Sequence, residues 1–397
     1  MTAAGKHHRA GNAKMTLADA DGGAQSRHDM MRETARHFAD REIRGLAAEL
    51  DETERFPSEI YKKMAQLGMF GITVPDELGG AGADAVSYAH VMEELSRGYA
   101  SVADQCGLVE LVGTLLSTHG TPEQQETYLR PLLAADRRCA YAITEAEAGS
   151  DVSGIKTTAT ETADGWRLNG GKLWIHNAPV ADFAVVLART APDLGKRGMS
   201  IFIVDRDRAG YKIGRQEHKM GQRASPVGAL HFDNIELPKT ALLGPLNRGF
   251  HMMMSVLDKG RVGISALAVG ILQAALDASV KQAKDRKQFG QPIAEFQAVQ
   301  WMIADMAKDV HAARLMTLHA GAELDSGGRA TTACSMAKCF ASDAAVLHTA
   351  NAVQVHGGMG YIRGMEVERL YRDAKITQIY EGTNQIQRML IARQALA

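Results

Sequence analysis

The sequence is short of aromatic residues and of net charge. Aromatic side chains make up 6% of its 397 residues, and 45 Lys+Arg nearly balance 46 Asp+Glu, for a formal net charge of −1. A chain without a basic excess is not expected to bind nucleic acid or an anionic membrane through its overall field. The hydrophobic share of 45% is sufficient for full cores, and the length predicts two or three domains.

Cysteine and long apolar runs are also scarce. Cys106, Cys139, Cys334 and Cys339 form no CxxC pair, so we predict buried thiols in a reducing compartment, with neither a disulfide framework nor a metal site. The longest charge-free stretches are 262–276 and 344–362. The first is shorter than the about 20 residues of a membrane-spanning helix, and the second is interrupted by polar residues and glycines. We therefore expect no membrane insertion.

The order of structural patterns along the chain is helix, strand, helix. Residues 1–27 lack the apolar core of a secretory signal and predict a disordered leader. Residues 28–68, 85–95 and 122–133 show helical patterns, the last one opening with a Thr-Pro start, and they predict a helical domain over 28–138. Residues 139–247 contain short runs rich in β-branched and aromatic residues, which predict strands. These runs are 157–162, 166–174, 183–188, 199–204 and 229–232.

Residues 248–397 return to helical periodicity. Apolar residues recur at spacings of three and four over 264–275, 299–313 and 333–347, and a fourth helix is predicted over 365–395, broken near Gly382. The predicted fold class is thus a multidomain α+β protein. It has an N-terminal all-α domain, a middle antiparallel β-barrel or sandwich domain and a C-terminal four-helix bundle.

Two polar segments belong to the predicted β domain, one at its start, after the helical domain, and one at the end of a predicted strand. Residues 142–154 offer the hydroxyls of Thr144 and Ser150 among small residues, which suits either a phosphate or flavin contact or a well-capped turn. In residues 172–177, Trp174 is suited either to the core or to a cofactor.

Three further segments in the helical part carry possible chemistry. Arg286, in residues 286–290, either binds a pyrophosphate or is a solvent-exposed loop residue. The glycines of 354–360 follow a helix and not a strand, so they fit helix caps better than a Rossmann motif. In residues 379–388, Glu381 stands between an aromatic residue and a glycine. Desolvation there would raise its pKa toward that of a general base, although a helix-terminal glutamate is the alternative.

Taken together, these segments resemble the acyl-CoA dehydrogenase family over about residues 28–395. Residues 144–154 match the family's first signature, and 354–373 match the second, including Arg369 and Asp373, with Gly364 where an acidic residue is usual. Residues 380–383 resemble the family's catalytic element. The resemblance implies bound FAD, an acyl-CoA substrate, electron-transfer flavoprotein as the acceptor and a homotetramer built as a dimer of dimers. It further implies a cytoplasmic location of bacterial type, or else the mitochondrial matrix.

The resemblance also implies the reaction. Glu381 would remove the α-proton of the thioester while the β-hydrogen leaves as hydride to flavin N5, giving a trans-2-enoyl-CoA. In the family, the backbone N–H of the catalytic glutamate and a ribityl hydroxyl bind the carbonyl oxygen as an oxyanion hole. A sub-branch carries its base on the first bundle helix instead, but the matching position here is Gly260, so the assignment falls on Glu381.

The resemblance assigns further residues to the site. The flavin would be lined from the β domain by Tyr141, Ile143, Thr144, Gly149, Ser150, Trp174 and His176, and near the base by Thr383 and Gln385. Residues of a neighbouring subunit would hold the adenine half, namely Arg286, Gln288, Phe289, Gln354 and Gly358. The substrate side would comprise Ser150, Asp258, Arg261, Tyr380 and Gly382.

Two positions depart from the family pattern. His176 stands where Thr or Ser commonly donates to the flavin, which puts the redox tuning of the cofactor in question. Ala146 replaces a common proline and predicts a slightly looser loop.

Other functions within the same fold stay open at this point. They are an acyl-CoA oxidase that uses oxygen and a non-catalytic scaffold. The acyl group could also be carried by a carrier protein instead of CoA. We expect its accepted length to depend on loops near residues 101–120.

Overall fold

The structure is a computed structural model that describes residues 17–397, with side chains from Ser26 onwards. Residues 1–16, which form most of the predicted leader, lie outside the described residues. Helix α1 (Leu17–Phe38) begins before residue 28, the predicted start of the N-terminal domain. It is tied to the rest of the chain by Arg27, which donates to Ala81 O at 2.7 Å.

The N-terminal part is helical, as predicted. After α1, the helices over residues 39–138 are α2 (Ala47–Thr53), α3 (Ser58–Gln66), α4 (Ala85–Gly98), α5 (Ala100–His119), α6 (Pro122–Gln124) and α7 (Arg130–Leu133). The Thr-Pro start of α6 is confirmed, because Thr121 Oγ1 accepts from the N–H of Gln124 and the Gln124 side chain accepts from the N–H of Thr121.

The expectation of loops near residues 101–120 was wrong, since this segment is helix α5. Helix α5 is buried on nearly all sides, so apolar residues surround its axis and no one-sided stripe marks it in the sequence. Its side chains therefore approach the neighbouring domains from a rigid element.

The middle part is an eight-stranded sheet. Its strands are β1 (Cys139–Ala142), β2 (Thr158–Glu161), β3 (Gly165–His176), β4 (Phe183–Arg189), β5 (Met199–Asp205), β6 (Tyr211–Gln216), β7 (Val227–Pro238) and β8 (Leu242–Leu243). Their order is β6-β7-β3-β2-β4-β5-β8, with β1 beside β4.

The predicted β domain is confirmed, but its sheet is mixed instead of wholly antiparallel. Strand β1 runs parallel to β4, with Cys139 opposite Phe183, and β2 meets β4 in parallel at Thr158 and Arg189. The β2–β3 hairpin lies between β1 and β4 in the sequence, and this long connection is what a parallel pair requires.

The C-terminal part is a helical bundle. It contains α8 (Gly249–Asp285), α9 (Gln297–Asp325), α10 (Thr331–His356), α11 (Glu366–Lys375) and α12 (Asn384–Ala395). A two-stranded hairpin, β9 (Lys287–Gln288) and β10 (Gln291–Pro292), joins α8 to α9. The predicted break near Gly382 is confirmed, because α11 and α12 are separate helices.

The three parts share one large core, and the sheet domain has a second core of its own. Alternate residues of β4 point to opposite sides, so Phe183, Val185 and Leu187 pack in a core with the helices, while Ala184 and Val186 pack inside the sheet domain. The four cysteines are unpaired and buried, as predicted. Helix α8 is long and apolar enough to cross a membrane, but 78% of its most apolar window is buried inside the fold.

Candidate active site

Glu381 lies in the turn between α11 and α12. Its backbone has φ 53°, in the left-handed region, and that of Gly382 has φ 87°. Thr383 is the N-cap of α12, its hydroxyl accepting from the N–H of Ile386 at 3.3 Å. The break at Gly382 thus has a physical basis, because α11 ends at Lys375 and the left-handed backbone of Glu381 and Gly382 keeps the chain out of a helix until α12.

The Glu381 carboxyl is buried and lacks a hydrogen-bond partner at one oxygen. Glu381 Oε2 has none among the described residues. Desolvation is the main cause of a raised pKa at Glu381; with Asp104 adding to it and the cations Arg261 and Lys338 opposing it, the pKa is raised to about 7. A carboxyl with this pKa exchanges a proton near neutrality in either direction.

Gly260 of α8 lies against this carboxyl. A Cβ added to Gly260 would stand 2.6 Å from Glu381 Oε2, so the absence of a side chain makes room for the glutamate. The neighbouring Arg261 donates to Asp258 Oδ1 at 2.6 Å, and Thr331 donates to the other Asp258 oxygen at 2.6 Å. The predicted substrate-side residues of α8 are therefore held together beside Glu381.

Two predicted tyrosines are also near Glu381. Tyr141 of β1 donates to Met253 O at 3.4 Å, and burial raises its pKa, with a further contribution from Glu381. The Tyr380 hydroxyl accepts from the Gln222 side chain at 3.2 Å. The site thus draws on β1, α8 and the α11–α12 turn.

The first signature loop is fastened to β3 beside it. The N–H of Leu173 donates to Thr144 O at 2.9 Å, and the buried Lys172 donates to Ile143 O and to Glu145 Oε1, each at 2.8 Å. The Thr144 and Ser150 hydroxyls have no hydrogen-bond partner in the described part of the chain, and a Cβ at Gly149 would meet open space. Donors and free space are therefore available on this loop.

Trp174 is exposed at an unusual position in its strand. It has φ 56°, in the left-handed region, and its side chain is 60% exposed. A tryptophan on β3 with its ring turned out of the core is not explained by packing, so the core alternative of the sequence analysis was wrong.

Desolvation lowers the pKa of His176, and both of its ring nitrogens lie near polar groups of other elements. Its Nε2 lies 2.8 Å from Ser225 Oγ, and its Nδ1 lies 3.4 Å from Asp104 Oδ2. Ser225 Oγ in turn donates to Asp104 at 2.7 Å. Asp104 and Ser225 were not predicted from the sequence, and no spacing could have indicated them, since they come from α5 and from the loop before β7.

The remaining predicted residues lie on the surface, Gln385 in the first turn of α12 and the others around the C-terminal ends of α8 and α10. All are exposed, and no hydrogen bond or ion pair joins any of them to the Glu381 site within residues 17–397; they are Arg286, Gln288, Phe289, Gln354, Gly358 and Gln385. Phe289, at the tip of the β9–β10 hairpin, is 94% exposed with φ 52°. One chain by itself therefore does not assemble the whole predicted set.

Comparison with known proteins identifies the family. The descriptions "Acyl-CoA dehydrogenase, N-terminal domain", "middle domain" and "C-terminal domain" match residues 25–136, 140–235 and 247–396. The chain belongs to the acyl-CoA dehydrogenase family, whose members are FAD-dependent oxidoreductases and typically homotetramers.

Similar proteins include both reductases and dehydrogenases. The 3-(aryl)acrylate reductase of Clostridium sporogenes is 44% identical over 374 residues, covering 93% of this chain and 98% of that protein. Subunit CarC of the caffeyl-CoA reductase–Etf complex of Acetobacterium woodii is 44% identical over 366 residues, covering 91% and 96%. The structure of butyryl-CoA dehydrogenase from Megasphaera elsdenii has a TM-score of 0.90 at 36% identity, covering 94% and 98%.

The residues of the β domain fit the family's cofactor. An exposed Trp174, two unpartnered hydroxyls and the open space at Gly149 together offer a ring face, donors and room for close approach. A flavin needs all three of these, whereas a capped turn needs none of them.

Proposed function

We propose that this protein catalyses the α,β-dehydrogenation of an acyl-CoA thioester to a trans-2-enoyl-CoA, with Glu381 as the base. The observation that carries the proposal is the buried Glu381 carboxyl, which has one unpartnered oxygen and a pKa raised to about 7. A base for a weakly acidic α-proton needs this combination of basicity and freedom to accept a proton.

The chain supplies the groups that the proton transfer requires. The N–H of Glu381 has no acceptor among the described residues, so it is free to donate to the thioester oxygen as negative charge develops there. Glu381 Oε2 then takes the α-proton, and burial keeps water from competing for it. FAD, when bound, supplies the acceptor for the hydride that leaves the β-carbon.

We assign the other site residues by the same proposal. Tyr141, Ile143, Thr144, Gly149, Ser150, Trp174 and His176 would hold the flavin, with Thr383 and Gln385. Asp258, Arg261, Tyr380, Gly382 and Ser150 would face the substrate. His176 donates to a flavin from Nε2 only if it gives up Ser225, because that nitrogen already has the Ser225 hydroxyl as its partner.

The reverse reaction is the second candidate. Two of the relatives are named as reductases, one acting on 3-(aryl)acrylate and one on caffeyl-CoA. Protonated Glu381 would then return a proton to the α-carbon, which a pKa of about 7 permits equally well. The direction used in the cell depends on the redox partner.

We further propose that electrons pass to or from an electron-transfer flavoprotein, since one relative is named as part of a complex with Etf. The proposed assembly is a homotetramer in which Arg286, Gln288, Phe289, Gln354 and Gly358 hold the adenine half of FAD in a neighbouring subunit. Large apolar side chains exposed on α9 and α10 support such contacts, namely Trp301, Leu315, Met336 and Leu347. We propose a cytoplasmic location and domain boundaries after residues 27, 138 and 247.

The decisive experiment is flavin bleaching by a panel of saturated and unsaturated acyl-CoA thioesters, with and without air. We expect bleaching by a saturated thioester without air and slow reoxidation in air. Rapid reoxidation by oxygen would favour an oxidase. Protein that is colourless and does not take up FAD would favour a scaffold and overturn the proposal. Acyl groups on a carrier protein form a separate arm of the panel.

A further inference from the structure

A buried lysine from another helix contacts the turn that carries Glu381. Lys338, on α10, is fully buried, and its Nζ donates to Gly382 O and to Asn384 Oδ1, each at 2.9 Å. Both acceptors are uncharged, and Lys338 forms no ion pair within the described residues. A buried ammonium without a carboxylate in contact is uncommon, so this position calls for an explanation.

The turn needs support from outside its own backbone. Glu381 adopts a left-handed conformation that is unfavourable for a residue with a side chain. Its own carbonyl oxygen accepts from Gln387 Nε2 at 3.2 Å, and that of Gly382 accepts from Gln387 at 2.9 Å as well as from Lys338. The two carbonyl groups are therefore fixed from α12 and α10, and the Glu381 side chain follows from their orientation.

The second partner of Lys338 is fixed as well. Asn384 Nδ2 donates to Ser342 Oγ at 2.9 Å and to Asp343 Oδ1 at 2.7 Å, which turns its amide oxygen toward Lys338. Ser342 donates to Lys338 O at 2.6 Å, so this network starts and ends on α10. The ammonium is thus held in one place by neutral groups.

Several groups face Glu381 from the elements around it. Arg261 from α8, Asp104 from α5 and Lys338 from α10 are charged, and Arg261 is already paired with Asp258. Tyr88, Tyr141 and Tyr380 come from α4, β1 and the turn, and burial keeps each of these phenols neutral by raising its pKa. Of the two cations, Arg261 and Lys338, only Lys338 has no carboxylate in contact, and it donates a hydrogen bond to the turn at Gly382 O.

We propose that Lys338 is a positioning residue of the active site, which holds the Glu381–Gly382 turn by its carbonyl and stabilises the ionised form of Glu381 by its charge. The proposal rests on the proposed role of Glu381 as the base. Deprotonation of Glu381 and retention of a charged Lys338 are then linked, because each lowers the cost of burying the other.

Three substitutions separate the hydrogen bond from the charge. Lys338→Met removes both, Lys338→Gln keeps a donor without the charge, and Lys338→Arg keeps both. Ser335→Ala is the matched control, since Ser335 is buried one turn earlier on α10 and its hydroxyl has no partner. Each holoenzyme is assayed for kcat and kcat/KM against pH, and backbone amide exchange is followed over residues 376–388.

We expect Lys338→Met to lower kcat about tenfold or more and to move the acidic limb of kcat/KM upward by about one pH unit. Amide exchange of the turn should quicken in the same variant. Lys338→Gln should shift the limb with little change in exchange, and Lys338→Arg should restore the limb. Ser335→Ala should match wild type in every measurement.

An unchanged limb and unchanged exchange in folded Lys338→Met would overturn the proposal. If that variant does not fold, an unchanged limb in Lys338→Gln overturns the proposed role of the charge. Glu381→Gln is assayed alongside. If Glu381→Gln is inactive and the lysine variants behave as wild type, only the proposed role of Lys338 is overturned. If Glu381→Gln is fully active, the proposed role of Glu381 as the base is overturned.

Discussion

The two sides of the site are each fastened by one buried lysine, and the two lysines differ in their partners. Lys172 binds Ile143 O in the first signature loop and is paired directly with the carboxylate of Glu145. Lys338 binds Gly382 O in the catalytic turn and has only neutral oxygens in contact. Burial lowers the pKa of each lysine to about 8, against the pull of nearby anions.

This difference separates a structural lysine from one that responds to the state of the site. The charge of Lys172 is balanced whether or not a substrate is present, because Lys172 is in direct contact with the Glu145 carboxylate. Among the nearby anions, Glu381 raises the pKa of Lys338 most, and the charge of Glu381 changes when it takes a proton. Four predictions test this difference.

The largest effect is expected for Glu381→Gln. The amide keeps the shape of the side chain but accepts no proton, so turnover should fall by about 10²- to 10⁴-fold while FAD is retained. Steady-state kinetics and the flavin spectrum measure the two quantities. Near wild-type rates would show that the proton goes to another group.

Lys172→Met should cost more stability than Lys338→Met. Removing Lys172 leaves Glu145 buried and unpaired, which typically lowers the free energy of unfolding by about 3–5 kcal/mol. Removing Lys338 leaves only neutral acceptors that have lost a donor, which lowers it by about 1–3 kcal/mol. Urea unfolding of the two variants makes the comparison. The double variant Lys172→Met, Glu145→Gln should recover part of the loss, and equal losses for the two lysines would remove the distinction.

The ionisation of Glu381 should appear in the pH dependence of stability. Its pKa is raised from 4.5 to about 7 on folding, so the folded protein binds this proton more tightly, and the contribution of Glu381 to stability falls as pH rises between these values. Glu381→Gln lacks this loss. The difference in unfolding temperature, variant minus wild type, should therefore increase by about 1–3 °C from pH 5 to pH 8. A constant difference across this range would argue against the raised pKa.

The smallest effect is expected for His176→Thr. Threonine restores the hydroxyl usual in the family and releases Asp104 and Ser225, so activity should persist while the flavin potential shifts by about 30 mV. Reductive titration against a reference dye measures the shift. Serine at residue 176 is the control, and an unchanged potential would show that His176 does not touch the flavin.

The sequence predicted those features that depend on local pattern. The break at Gly382, the Thr-Pro start of α6 and the presence of a helix over 264–275 follow from residues close together in the chain. Helix α5 was missed because burial on all sides removes periodicity. On α10, the apolar repeat over 333–347 predicted the helix, yet Met336 and Leu347 of that repeat are exposed, and its inward face carries Lys338.

Residues that act across domains could not be predicted in the same way. Lys338 and Gly382 are 44 residues apart, and Asp104 meets His176 only when α5 packs on the β domain. The cofactor residues were named through the family resemblance, and their roles stay predictions.

Gly260 has a consequence for how this site can change over time. Its backbone approaches the Glu381 carboxyl so closely that a side chain at either position occupies the same volume. A glutamate at residue 260 and a glutamate at residue 381 would therefore clash. If the base moves from one position to the other during evolution, the glutamate at the first position must be lost as the second is gained. A single change gives an intermediate that has either no base or two glutamates that clash.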